Sequence, residues 1–140
     1  MAFAQILAAV RMIAEGGIPN LKLYYMIGLP GETDEDVAAI GDLTSRIRQT
    51  WQAIGRARGR LGRLALSVNP FVPKPWTPLQ WAPMEPVGRL EKKYQLLRKM
   101  VRPMANVDLQ CESLRSSELQ GLLARGDRRS FRAQREVAEI

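Results

Sequence analysis

The segment that most constrains the fold runs from Leu21 to Asp36 and reads Leu-Lys-Leu-Tyr-Tyr-Met-Ile-Gly-Leu-Pro-Gly-Glu-Thr-Asp-Glu-Asp. Its first seven residues are almost all apolar, as a strand covered on both faces requires. Gly28, Pro30 and Gly31 end the strand. Thr33 suits the N-cap of a helix, and the carboxylates after it complement the positive end of the helix dipole. This order of strand, glycine turn and helix is typical of α/β proteins, which bind ligands at the carboxyl ends of their strands.

Strand and helix patterns alternate along the rest of the chain. Apolar spacing predicts strands over 21–27, 64–68 and 107–111, and helices over 3–15, 34–54, 86–102, 114–124 and 128–138. Such alternation predicts an α/β fold with a parallel sheet and right-handed crossovers. About three strands beside such long helices leave one sheet edge bare, so we expect part of an α/β barrel rather than all of one.

Residue counts exclude several kinds of site. Cys111 is the sole cysteine of the 140 residues, so the chain has no intrachain disulfide and no cysteine-based cluster site of its own. The sequence contains no histidine, which excludes histidine acid–base catalysis and a Ser-His-Asp triad. No apolar run approaches the ~20 residues that span a bilayer, and no signal peptide opens the chain. We therefore expect a cytoplasmic protein without a membrane partner.

The net charge of +7 is concentrated in two groups of arginines. Such groups can bind nucleic acid, RNA included, although few aromatic residues lie between them to stack on bases. They are more typical of a solvated loop and of a helix C-terminus, which favours cations. The first group is Arg46, Arg48, Arg56, Arg58, Arg60 and Arg63, and the second is Arg125, Arg128, Arg129, Arg132 and Arg135.

Three stretches resemble the radical S-adenosylmethionine superfamily, in particular its Fe–S oxidoreductase-like proteins that often carry a cobalamin-binding-type domain. Leu21–Thr33 is similar to the fifth strand of the family barrel and its turn, and Ser67–Trp81 to the sixth strand and the loop after it. Leu122–Arg129 is like a helix end shortly after the barrel. The family's three cysteines, spaced C-x3-C-x2-C, are absent here, and Trp76 stands where we expect the family histidine.

The resemblance implies the C-terminal half of a partial (β/α) TIM-like barrel over 1–103, followed by a short post-barrel segment, with a strand and helices, over 104–140. It implies a larger protein that cleaves S-adenosylmethionine reductively at a [4Fe–4S] cluster and begins radical chemistry on an unknown substrate. The resemblance also allows cobalamin as a second cofactor of that intact protein. The partner of this chain would be the N-terminal half-barrel of its own polypeptide, and the chain alone would be inactive and self-associate through its bare edge.

The same resemblance places the adenine of S-adenosylmethionine beside the ends of two strands. The residues implied are Ile27, Gly28 and Leu29 after the first strand, with Val68 and Asn69 at the end of the second. An adenine needs a flat apolar wall and backbone hydrogen bonds, and glycine lets the main chain approach it closely. No catalytic residue and no metal ligand is implied within the chain. Without a ligand, the glycines would simply turn a strand into a helix.

Other residues admit two interpretations each. Glu32 is either a buried acid that orients neighbouring backbone groups or an ordinary carboxylate of a first helical turn. Lys74 either reaches a substrate carboxylate or phosphate or is solvated. Phe71, Trp76 and Trp81 either line a substrate pocket or pack over the sheet edge. For the chain as a whole, the alternatives are a basic α/β nucleic-acid-binding module and a structural unit without a ligand.

Overall fold

Strands and helices alternate as the sequence predicts, in a computed structural model that describes residues 3–126. The elements in chain order are α1 (Phe3–Glu15), β1 (Asn20–Ile27), α2 (Asp34–Ala57), β2 (Arg63–Pro70), α3 (Val87–Val101), β3 (Val107–Cys111) and α4 (Leu114–Arg125). Each agrees with its predicted range to within a few residues. The helix predicted over 128–138 lies outside the described residues.

The three strands form one parallel sheet in the order β1-β2-β3. Asn20 lies opposite Arg63 and Ile27 opposite Pro70, so β1 and β2 pair along their whole lengths. β3 pairs with the stretch 64–68 of β2. The helices α2 and α3 are the crossovers between successive strands, which confirms the α/β class and the parallel sheet.

The hydrophobic core lies between one face of the sheet and the helices. Alternate residues of β1, from Leu21 to Ile27, face it together with Leu64, Leu66 and Val68 of β2. The first three helices supply the opposing apolar side chains. They are Val10 and Ala14 of α1, Val37, Leu43, Ile47 and Trp51 of α2, and Leu90, Leu97 and Val101 of α3.

The other face of the sheet is uncovered in the described part of the chain. Lys22, Tyr24 and Met26 of β1 point to this face, and the side chains of Tyr24 and Met26 are 70% and 49% exposed. The prediction of a strand covered on both faces is therefore wrong. An apolar run shows that a strand can be buried, but the positions of the helices decide which of its alternate residues are covered.

The prediction that this chain is the C-terminal half of a partial TIM-like barrel with a short post-barrel α segment is also wrong. Residues 3–126 form an open three-stranded sheet with four helices. β3, which was placed after the barrel, pairs with β2 in that same sheet, and α4 packs against α3. Successive βα units dictate parallel pairing, whereas closure of a barrel depends on strand number and stagger, which three units do not determine.

None of the helices within 3–126 combines the length and the apolar character needed to cross a membrane.

The long helix α2 begins at a capping box. The Thr33 side chain accepts a hydrogen bond from the Asp36 backbone N–H at 3.3 Å, and the Thr33 N–H donates to Asp36 Oδ2 at 2.8 Å. The hydrogen bond from the Thr33 backbone lowers the pKa of Asp36. This reciprocal pair fixes the point at which the chain leaves the glycine turn and enters the helix.

We predict that Thr33→Ala lowers the free energy of unfolding by about 1 kcal/mol, because a backbone N–H of the first turn loses its acceptor. Urea denaturation measures the change. Gln49→Ala, at an exposed position in the same helix, is the matched control and should change stability by less than about 0.5 kcal/mol. Equal losses in the two variants would contradict a specific role for the cap.

Candidate functional site

The turn between β1 and α2 depends on two glycines with left-handed backbone angles. Gly28 has φ +81° and Gly31 has φ +82°, a region that side-chain-bearing residues rarely adopt. A Cβ on Gly28 would also lie 2.6 Å from Leu90 Cδ2 of α3, whereas one on Gly31 would have no neighbour within 4 Å. The first glycine therefore meets a steric and a conformational requirement, and the second meets only the conformational one.

A buried ionic cluster lies beneath this turn. Lys93 of α3 places its Nζ 2.8 Å from Glu32 Oε1 and 2.7 Å from Glu85 Oε2. The three side chains are only 6%, 7% and 13% exposed, in the order Lys93, Glu32, Glu85. Glu32 Oε1 also accepts a hydrogen bond from the Gly28 backbone N–H at 2.8 Å. Of its two interpretations, Glu32 therefore takes the first, a buried acid that orients a neighbouring backbone group.

The pKa of Lys93 reflects two opposing effects. Burial lowers it, but hydrogen bonds and charge interactions with Glu32 and Glu85 outweigh burial, and the pKa is raised above its ordinary value. Lys93 is thus protonated at neutral pH. Its stabilising contribution is complete below the ordinary lysine pKa of about 10.4 and is lost only as the pH rises through the higher folded value.

The end of β2 presents a buried polar atom without a partner. Asn69 lies opposite Met26 in the sheet register, on the uncovered face. Its Oδ1 is screened from solvent and finds no hydrogen-bond donor among the described residues. Just beyond it, the Phe71 N–H donates to the Ile27 carbonyl oxygen at 2.7 Å, which holds the two strand ends together.

The five residues implied by the resemblance lie at these adjoining strand ends but differ in how far they are exposed to solvent. The side chains of Ile27 and Val68 are fully buried in the core beneath the helices. Gly28 is buried in the turn, Leu29 is 38% exposed, and Asn69 is partly buried. A ligand could therefore touch Leu29 and Asn69 directly, while Ile27 and Val68 support them from below.

A groove of about 530 Å³ runs beside the turn. Residues 28–32 form one wall, and residues 83–86 with Arg89 form the other. Arg89 Nε lies 3.6 Å from Glu85 Oε1, and its side chain is largely exposed. The groove therefore brings one exposed cation beside the Glu85 end of the buried cluster.

The proline-rich loop separates its three aromatic residues. Phe71 is buried, whereas Trp76 and Trp81 are 95% and 83% exposed. Trp76 has φ +65°, and its N–H donates to Gln80 Oε1 at 3.2 Å. Lys74 is exposed, with its Nζ 3.5 Å from Gln120 Oε1.

Several arginines of the first basic group hold the fold together. Arg58 Nη1 donates to the carbonyl oxygens of Ala14 and Glu15 at the C-terminus of α1, at 3.0 and 2.6 Å. Arg48 donates to the Ala105 carbonyl oxygen, and Arg63 pairs with Asp108 at 3.9 Å. Of the second group, Arg125 donates to the Ala82 carbonyl oxygen, and the other four lie outside the described residues. Structural contacts thus account for part of the charge that suggested nucleic-acid binding.

Sequence reasoning missed Lys93 and Glu85. The apolar spacing of this helix predicts a core stripe of Val87, Leu90, Tyr94, Leu97 and Val101, but the structure buries Lys93 and leaves Tyr94 partly exposed. The positions 90, 93, 97 and 101 step by three and four residues. The presence of a lysine in this stripe was the signal that could have revealed the ionic cluster, because a lysine buried there requires an acidic partner.

The residues of this chain do not fit an iron–sulfur cluster. Cys111 is half-buried, and burial raises the pKa of its thiol, which disfavours the thiolate that binds iron. Over residues 3–126, no group of three or more His, Cys, Asp or Glu side chains is placed to hold a metal ion. Cluster chemistry therefore has no anchor in this part of the chain.

Comparisons with known proteins give one similarity of note. Over 119 residues the chain is 29% identical to the uncharacterized protein MJ0966 of Methanocaldococcus jannaschii. The match covers 85% of this chain and 24% of that protein, so the chain spans about a quarter of the length of the curated relative it matches. No family model matches the chain. No solved structure matches it either.

We predict that Gly28→Ala and Gly31→Ala differ in cost. Gly31→Ala meets only backbone strain and should lower the free energy of unfolding by about 1–2 kcal/mol. Gly28→Ala adds the contact with Leu90, and its total cost should be roughly 2–5 kcal/mol. Thermal and urea denaturation measure both variants, with Gly88→Ala in α3 as a control that has open space and ordinary backbone angles. Equal costs at Gly28 and Gly31 would contradict the close packing of the turn on α3.

Proposed function

We propose that this chain binds the adenine end of S-adenosylmethionine at the carboxyl ends of β1 and β2, as part of a longer radical S-adenosylmethionine enzyme. The resemblance of Leu21–Thr33 and Ser67–Trp81 to that family supports it. The observation that carries the proposal is the buried Asn69 Oδ1, which has no hydrogen-bond donor within residues 3–126. An unsatisfied buried acceptor costs about 1–3 kcal/mol, and buried polar atoms without partners are rare in folded proteins. A ligand that donates a hydrogen bond would remove this cost.

Adenine has the chemistry that this position needs. Its 6-amino group is a hydrogen-bond donor, and its rings are flat and apolar. Met26, opposite Asn69 on the uncovered face, is a partly exposed apolar side chain, and Leu29, three residues further along the chain, is another. Gly31 is exposed and has no neighbour within 4 Å of its Cβ position, so a ring can approach the main chain of the turn there.

The remaining parts of the proposed activity belong to the longer protein. Reductive cleavage of S-adenosylmethionine requires a [4Fe–4S] cluster, whose cysteine ligands would lie outside this chain, and cobalamin is an additional option there. The role of these residues is to hold the adenine and to exclude water from its edge. The uncovered face around Tyr24 would pack against the rest of that polypeptide, and the chain alone should self-associate through it.

We predict that the chain binds adenosine with a Kd of about 1 mM or weaker, which corresponds to roughly −4 kcal/mol. Only the adenine contacts are present, so the affinity is small. Inosine carries a carbonyl oxygen in place of the 6-amino group and has its N–H donor at the neighbouring ring nitrogen. It should bind at least tenfold more weakly, because in the adenosine pose two acceptors, O6 and Asn69 Oδ1, would face each other. Titration followed by protein NMR measures both affinities.

Asn69→Leu separates a binding role from a structural one. It keeps a similar volume, removes the buried acceptor, and should abolish the preference for adenosine while leaving stability unchanged or raising it by about 1 kcal/mol. Ser67→Ala, on the same strand and face, should change neither binding nor preference. Equal binding of adenosine and inosine, or a clear loss of stability in Asn69→Leu, would contradict the proposal.

A further inference from the structure

Lys93 is charged, although it occupies a buried position of α3 at which an apolar residue is expected. It lies between Leu90 and Leu97 on the buried stripe of α3, and its side chain is 6% exposed. Its ammonium group has three acceptors: Glu32 Oε1 at 2.8 Å, Glu85 Oε2 at 2.7 Å and the Glu32 carbonyl oxygen at 3.4 Å. The three donors of the ammonium group can therefore all be satisfied without water.

These contacts join three separate parts of the chain. Glu32 belongs to the β1–α2 turn, Glu85 to the segment before α3, and Lys93 to α3 itself. Through Glu32 Oε1 the network reaches the Gly28 N–H, and Glu85 Oε2 lies only 3.2 Å from the position that a Cβ of Gly28 would occupy. The position of the Gly28 peptide therefore depends on a lysine 65 residues further along the chain.

Stability alone is a poor reason for such a cluster. Desolvation of buried charges offsets much of their attraction, and apolar side chains of similar volume are often as stabilising. Two carboxylates around one ammonium group also leave a net negative charge, and the exposed Arg89 approaches it at 3.6 Å from Glu85. What an ionic network adds is a single geometry, since each charged hydrogen bond has a defined length and direction.

We propose that Lys93 is a positioning residue, which holds Glu32 so that the Gly28 turn stays in its ligand-binding conformation. This inference rests on the proposed adenine site, although the conformational part can be measured without any ligand. Lys93→Met would leave the buried Glu32 carboxylate without its cation and would leave Glu85 paired with the exposed Arg89. Glu32 would then turn toward solvent, and the Gly28 N–H would lose its acceptor.

The test is amide hydrogen exchange in the full chain, followed by NMR. In Lys93→Met the Gly28 amide should exchange at least tenfold faster relative to the Leu66 amide, which lies in the centre of the sheet and reports global opening. Lys92→Met, which removes an exposed lysine next to it in the same helix, is the matched control and should change neither amide. Lys93→Arg keeps the charge and should restore part of the Gly28 protection.

A second variant covers the case in which Lys93→Met fails to fold. Lys93→Met combined with Glu32→Gln and Glu85→Gln carries no unpaired buried charge and should recover global stability, yet the Gly28 amide should still exchange at least tenfold faster relative to Leu66. If the Gly28 and Leu66 amides change in parallel in both variants, Lys93 is a structural residue and the inference is wrong.

Adenosine titration of the same variants tests whether Lys93 affects ligand binding. Lys93→Met should weaken adenosine binding at least fivefold, and Lys92→Met should not weaken it. Wild-type chain that binds no adenosine would overturn the proposed function, whereas the exchange of the Gly28 amide would still decide the role of Lys93. Unchanged adenosine affinity in Lys93→Met would overturn the link between Lys93 and ligand binding.

Discussion

Within residues 3–126, helices cover a parallel sheet on one of its faces, and the rest of this structure depends on that constraint. Parallel strands need long crossovers, and α2 and α3 supply them on the same side of the sheet, where α1 joins them in a common core. The opposite face keeps Tyr24 and Met26 exposed and carries Asn69. Because all strands run in one direction, the turn after β1 and the end of β2 must lie side by side, and this brings the candidate site together.

The site contains two kinds of buried polar group, and the difference between them is informative. Glu32, Glu85 and Lys93 satisfy one another and fix the turn against α3. Asn69 Oδ1, at the end of the neighbouring strand, is buried and has no donor within the described chain. A fold that satisfies a three-residue ionic network is able to satisfy an amide oxygen, so the exception favours a ligand contact.

The sequence predicted the elements well because local signals mark them. The apolar periodicity of α2, its Thr33 cap and the glycines of the turn all act within a few residues, and the structure has them where expected. Burial by distant elements was harder to predict. The apolar run of β1 does not show that Tyr24 is uncovered, and nothing local tells which acid pairs with Lys93, since Glu32 lies 61 residues away. The barrel prediction was wrong because closure depends on strand number and stagger, which local sequence signals do not determine.

The most direct test of the proposed adenine site is to locate adenosine on the assigned NMR spectrum of the chain. The account predicts that adenosine, and not inosine, shifts the backbone amides of Gly28 and Leu29 and the side-chain amide of Asn69. Shifts confined to the opposite end of the sheet, around Gly17, Arg58 and Gly62, where the structure has another groove, would contradict it. So would a spectrum in which saturating adenosine moves no resonance at the ends of β1 and β2.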